Sequence, residues 1–162
     1  VRGEVAFIGT STARPSPPPL ADGRLGSRQL QALEARLAAL QGKFRVLLIH
    51  HPPLPQRLDL LRALRDRKDL HAVLRRVGCE LVLHGHEHRD LRGELPGPSG
   101  PIPVIGAGSA TYEDQRPDHL DRRARYNIYS VSGTASTGFA LSITQRVHDP
   151  KSDRFIPYTP PS

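Results

Sequence analysis

Five of the chain's eight histidines fall in two short clusters, His50-His51-Pro52-Pro53 and His84-Gly85-His86-Glu87-His88. Each directly follows an apolar run, Val46-Leu47-Leu48-Ile49 in the first case and Leu81-Val82-Leu83 in the second. Neutral imidazole is a common ligand for zinc, iron and similar ions, and open α/β sheets gather ligands at the carboxyl ends of their buried strands. The chemistry on offer is therefore metal-centred. A hydrolytic two-metal centre also needs carboxylates to bridge its ions and offset their charge. Neither Gly-Asp nor Gly-Asn-His-Asp occurs in the 162 residues. By residue type, the two clusters make half of a site.

Two residues apart on an extended segment, His86 and His88 point to one side, and Gly85 lets the backbone turn and approach an ion or phosphate. Pro52 and Pro53 stiffen the loop after the first cluster. Neighbours on a strand point oppositely, so only one of His50 and His51 is expected to bind metal.

These clusters must be held by strands and by the helix between them. Residues 4–10 read as a first strand, followed by the proline-rich stretch Arg14-Pro15-Ser16-Pro17-Pro18-Pro19. Ser27 has the chemistry of an N-cap, Leu30, Leu33, Leu37 and Leu40 share one helical face, and Gly42 supplies a stop. Phe44–Ile49 is a continuous apolar run, as in a strand buried on both faces. A leucine-rich helical stretch is expected near 58–66 and a second helix from about Asp69, with Leu70, Val73, Leu74 and Val77 inward and Gly78 at its end. Strand 80–84 then delivers the second cluster. Residues 93–101 are rich in Gly and Pro and read as a loop before a strand at Ile102–Ala107, and 108–124 read as irregular. Tyr126–Val131 and Phe139–Arg146 alternate apolar and polar around a Gly133–Gly138 hairpin. The order predicts an α/β fold with a mixed sheet, two main helices and a C-terminal β-meander.

Composition narrows the function class. A single cysteine, Cys79, excludes an intrachain disulfide and suits a reducing cytoplasm. No run approaches the roughly 20 apolar residues of a membrane span. The net charge of +7 rests on 20 arginines and three lysines. The arginines are scattered, and the densest run, Arg122-Arg123-Ala124-Arg125, lacks interleaved aromatics. Nucleic-acid binding is therefore open but not favoured over anion steering toward a phosphate site. His71 sits inside a predicted helix, Ser109 lacks a nucleophile-elbow context, and Asp118-His119 and His148-Asp149 read as surface pairs.

The ordered pattern Leu-Leu-Ile-His50-His51-Pro-Pro-Leu and Leu-Val-Leu-His84-Gly85-His86-Glu87-His88 resembles the second half of the calcineurin-like metallophosphoesterases. The segments Gly9-Thr10-Ser11-Thr12-Ala13 and Gly23-Arg24-Leu25-Gly26 resemble bacterial members close to cyclic-nucleotide phosphodiesterases. The resemblance implies the C-terminal half of an αββα sandwich over residues 1–146, with 147–162 as a tail. It implies His51 and His86 as ligands to one metal and His88 as a ligand to the other. His50, Gly85 and Tyr112 would stand behind the metals or along the substrate cleft. Two divalent ions, Fe, Mn or Zn, would serve a phosphate-ester substrate. The family's Asp-x-His, bridging Asp and Asn-His with its proton donor belong to the first half, and those positions have no counterpart here, so no catalytic residue is assigned.

Lacking methionine and entering a strand almost at once, the chain is expected to be a fragment whose partner is the missing N-terminal half. A homo-oligomer is a further expectation. By itself it is expected to hold at most one weakly bound ion, zinc by preference, and to show no hydrolysis. The competing reading is a non-catalytic basic binding module that keeps the fold.

Overall fold

In the computed structural model, residues 1–55, 61–111 and 122–158 are described. The order is β1 (Val5–Gly9), α1 (Ser27–Ala39), β2 (Phe44–Ile49), α2 (Arg67–Val77), β3 (Leu81–His84), β4 (Leu91–Gly97), β5 (Gly100–Gly106), β6 (Arg125–Thr134), β7 (Gly138–Asp149) and β8 (Arg154–Tyr158). A five-stranded sheet runs β1-β2-β3-β5-β4, parallel except for β4, and an antiparallel three-stranded sheet runs β6-β7-β8. The expected mixed α/β fold with two helices and a C-terminal meander is what forms.

Period-two patterning explains the layering. On β2, Leu47 and Ile49 join Leu30, Leu33 and Leu37 of α1 and Leu70, Val73 and Leu74 of α2 in one buried cluster. The alternate residues Phe44 and Val46 pack with Leu81 and Ile105 under Tyr129, Val131, Phe139, Leu141 and Ile143 of the second sheet. The order of layers is helices, five-stranded sheet, three-stranded sheet. Removing a fully buried side chain such as Leu37, Leu47 or Leu74 costs about 2–5 kcal/mol.

Several expected elements shift. Gly26, at φ 77°, is the N-cap of α1, Ser27 is the first helical residue, and no side-chain cap bond forms. The Asp66 carboxylate instead accepts the Leu25 N–H at 3.1 Å and the Gly26 N–H at 2.7 Å. Of the helical stretch expected near 58–66, residues 58–60 lie outside the described residues, and 61–66 form turns and a bridge of Leu64 to Gly23 instead of a helix; α2 starts at Arg67, and Gly78, at φ 66°, caps its end. The Gly/Pro-rich stretch expected as a loop is instead the β4–β5 hairpin, with Pro96 opposite Pro101 and Glu94 opposite Pro103. Pairing of β5 with β3 begins only at Val104, so both prolines of β5 sit where it has one neighbour and no ladder donor is lost. Past residue 146, β7 continues to Asp149, and β8 pairs with it.

Arg45 interrupts the apolar run of β2 on the helix side. Its Nη1 donates to the carbonyls of Leu37 and Val77, each at 3.0 Å, while Nε and Nη2 clasp Glu80 at 3.0 and 2.8 Å. One guanidinium thus bonds carbonyls in the last turns of both helices, where few internal donors remain; the Leu37 carbonyl also accepts the Leu40 N–H at 3.3 Å.

Candidate functional site

Parallel register brings the two histidine clusters together. Ile49 pairs with His84 at the ends of β2 and β3, and Gly85 N–H donates to the His50 carbonyl at 3.1 Å. The chain then turns. Glu87 N–H bonds the Gly85 carbonyl at 3.0 Å, and His86 and His88 take left-handed φ values of 76° and 51°. Residues 86–88 are therefore not extended, and the expected same-side alternation does not apply. Gly85 takes no left-handed φ, and a Cβ there would meet only His50 Nδ1, at 3.7 Å. The strained positions belong to the histidines, where left-handed backbone is uncommon and clusters at functional sites.

Adjacent on the strand, His50 and His51 diverge as expected. His50 is exposed, and its Nε2 lies 3.1 Å from His86 Nδ1. The rings of His50 and His86 are nearly perpendicular, with centroids 5.0 Å apart. His51 turns toward the loop that follows β1 and is 4% exposed. Its Nε2 is 3.0 Å from the Ala21 carbonyl and its Nδ1 is 2.6 Å from Thr12 Oγ1. A carbonyl can only accept, so Nε2 carries the proton and Nδ1 accepts from the Thr12 hydroxyl. Burial pushes the His51 imidazole below its ordinary range and keeps it neutral. The His51 ring still touches that of His86, with centroids at 4.4 Å.

The loop around His51 is built for close approach. A Cβ at Gly23 would stand 2.3 Å from His51 Nδ1. Backbone bonds from Ala21 to Leu61, Gly23 to Ala63 and Arg65 to Gly23 tie this loop to residues 61–65. Asp22, 4% exposed, accepts from Ser16 Oγ at 2.7 Å and Arg65 Nε at 2.6 Å. Those two bonds lower its carboxyl to about 2. Thr12 and Gly23 fall in the two segments quoted for the resemblance, without a role assigned to either, and Asp22 carried no signal beyond ordinary turn chemistry.

His84, also 4% exposed, is packed beneath Gly106, and burial lowers its pKa too. His88 is exposed. The chain's one Asp-x-His, Asp69-Leu70-His71, lies on α2, where His71 Nε2 donates to the Pro53 carbonyl at 2.7 Å and anchors the proline loop. Tyr112, Asp118 and His119 lie outside the described residues. Among the described residues, no group of three or more His, Cys, Asp or Glu side chains is arranged to hold a metal ion. No helix among them is long and apolar enough to cross a membrane.

No family model matches the chain. Over 92 residues, 56% of its length, it is 37% identical to a probable cyclic nucleotide phosphodiesterase of Rhodococcus erythropolis. Over a stretch of the same length it is 34% identical to a cAMP/cGMP dual specificity phosphodiesterase of Mycobacterium tuberculosis. The match spans 29% and 28% of those two proteins, less than a third of either.

Proposed function

We propose that this chain carries the histidine face of a metal-dependent phosphodiesterase centre acting on phosphodiesters, cyclic nucleotides among them. The observation that carries the reading is the His50–His86 nitrogen pair at the joined ends of β2 and β3, 3.1 Å apart. Two imidazoles on one tetrahedral zinc hold their nitrogens about 3.3 Å apart, so the pair suits a single ion. The names of the two relatives supply the substrate class.

In this reading His50 takes the ligand role that the resemblance gives to His51, because both ring nitrogens of His51 are already bonded. His51 holds the wall behind the site, and His86 presents Nδ1. His88 is offered to a second ion, but the described residues bring no carboxylate to bridge two ions. They do not fit a complete two-metal centre, and no hydrolytic step is derived through one. When bound, such ions lower the pKa of a coordinated water and neutralise phosphoryl oxygens. The carboxylates and the proton donor would come from polypeptide beyond these residues. The buried thiol of Cys79 is consistent with a reducing cytoplasm, and anion steering by the +7 charge suits a phosphate ester.

Replacing the matched stretch of the Rhodococcus phosphodiesterase with this chain's 92 residues tests the reading. The chimera should hydrolyse 3′,5′-cyclic AMP with added manganese or zinc. His50→Ala or His86→Ala should lower that turnover at least about 100-fold, the upper end of what losing even a group behind a ligand costs. A folded chimera inert with every divalent ion would overturn the catalytic reading in favour of the basic binding module.

A further inference from the structure

Three imidazoles meet where β2 and β3 end, and they are not held alike. The ring of His86 touches both of its neighbours, with centroids 5.0 Å from that of His50 and 4.4 Å from that of His51. Rotation about the outer torsion of a histidine is broad, so the plane of each ring is set by what the ring touches. His51 is the most firmly set of the three. It is 4% exposed and has a partner on each ring nitrogen, Thr12 Oγ1 on Nδ1 at 2.6 Å and the Ala21 carbonyl on Nε2 at 3.0 Å.

Thr12 is 1% exposed, although its side chain is polar. Its hydroxyl donates to His51 Nδ1 and accepts the His51 N–H at 3.4 Å, so one oxygen holds both the ring and the backbone of the same residue. A donor on Nδ1 is compatible only with the tautomer that carries its proton on Nε2, the one that the Ala21 carbonyl also requires. The surrounding loop keeps the hydroxyl in place. Arg24 N–H bonds the Thr12 carbonyl at 3.0 Å, and Gly23 lets the loop close on the ring, since a Cβ there would run into His51 Nδ1.

We propose that Thr12 is a positioning residue for the histidine pair. Its hydroxyl fixes the tautomer and the ring plane of His51. The His51 ring, tilted 38° to that of His86, then sets the plane in which His86 turns Nδ1 toward His50 Nε2, 3.1 Å away. Groups that orient a ligand without touching the ion typically change metal affinity about 10- to 100-fold. Were Thr12 only a filler of the loop, valine would serve as well, because it has nearly the same volume and lacks only the hydroxyl. That the pair receives an ion rests on the phosphodiesterase reading, whereas the transmission from Thr12 to His86 does not.

The test reads the imidazole nitrogen resonances of the metal-free, full 162-residue chain by NMR. Native His51 should carry its proton on Nε2 and leave Nδ1 as an acceptor. Thr12→Val should move the Nδ1 resonances of His51 and His86 and leave those of His148, on the second sheet, in place. Thr12→Ser keeps the hydroxyl and should leave all of them near their native positions. Gly23→Ala crowds the same ring with Thr12 intact and should also move the His86 resonance, so the role stays testable if the valine variant does not fold. Zinc affinity should fall at least about tenfold in Thr12→Val and return in Thr12→Ser. A native His51 protonated on Nδ1 overturns the inference, as does a folded Thr12→Val or Gly23→Ala that leaves the His86 resonance unmoved. Equal zinc affinity in the native chain and Thr12→Val overturns it too. A native chain that binds no zinc refutes the metal reading instead, and the resonances alone then decide the role of Thr12.

Discussion

At the scale of single residues, the two histidine clusters were legible as the ends of two apolar runs, which the parallel register of β2 and β3 brings together. Which of His50 and His51 faces outward was not. A strand buried on both faces gives period-two alternation no polarity, and the side is set by the Thr12 and Ala21 contacts on a distant loop. The same contacts make a pH prediction. Burial lowers the pKa of His51 and His84 in the native state, against an unfolded value near ~6.5. Above that value both states hold these rings neutral, and stability does not depend on them. As pH falls below it, the unfolded chain takes up protons that the native chain refuses, so stability is lost until the native rings protonate. Asp22, held at about 2, does not titrate in this window. Urea midpoints of the metal-free chain should fall from pH 7 to pH 5, and His51→Gln should flatten that slope. Equal slopes for the two proteins would mean that His51 is not a buried neutral group.

At the scale of elements, the helices and the central strands were readable from leucine spacing and from β-branched runs. The β4–β5 hairpin was hidden by its prolines, which read as loop until β3 is seen to stop short of them. The N-cap of α1 was hidden because its partner, Asp66, lies 40 residues from Gly26 in sequence. Arg45 was hidden inside an apolar run, although it bonds the ends of both helices. Its side chain is 9% exposed and Glu80's is 28% exposed. Removing one member of a buried pair leaves the other uncompensated, and also takes a charged donor from the Leu37 and Val77 carbonyls. Arg45→Met should therefore destabilise the chain by about 3–5 kcal/mol. Changing Glu80 to Gln should cost less, since the amide oxygen still accepts and the group is nearer solvent. Chemical denaturation of the two variants decides it, and equal losses would show that the helix-end carbonyls do not depend on Arg45.

For the whole molecule, stability is unequal across the layers. Among the described residues, the helix-side cluster contains fifteen buried residues, whereas only Phe44, Val46, Leu81 and Ile105 are buried between the sheets. The second sheet contributes Tyr129, Val131, Phe139, Leu141 and Ile143 there, all partly exposed, and its outer face shows Tyr126, Ile128 and Phe155 to solvent. Local opening takes the least buried cooperative unit first. In native-state hydrogen exchange, the amides of β2, β3 and β5 should open only with global unfolding, and those of β6, β7 and β8 at lower free energy. Val104 and Ile105 are neighbours on β5 that face opposite layers, at 0% and 3% exposure, so they separate the two cores within one strand. Truncation of Val104 to Ala should speed exchange everywhere, because the helix-side core sets the global free energy. Truncation of Ile105 to Ala should speed it mainly in β6–β8. If both substitutions raised exchange uniformly, the two sheets would unfold as one unit.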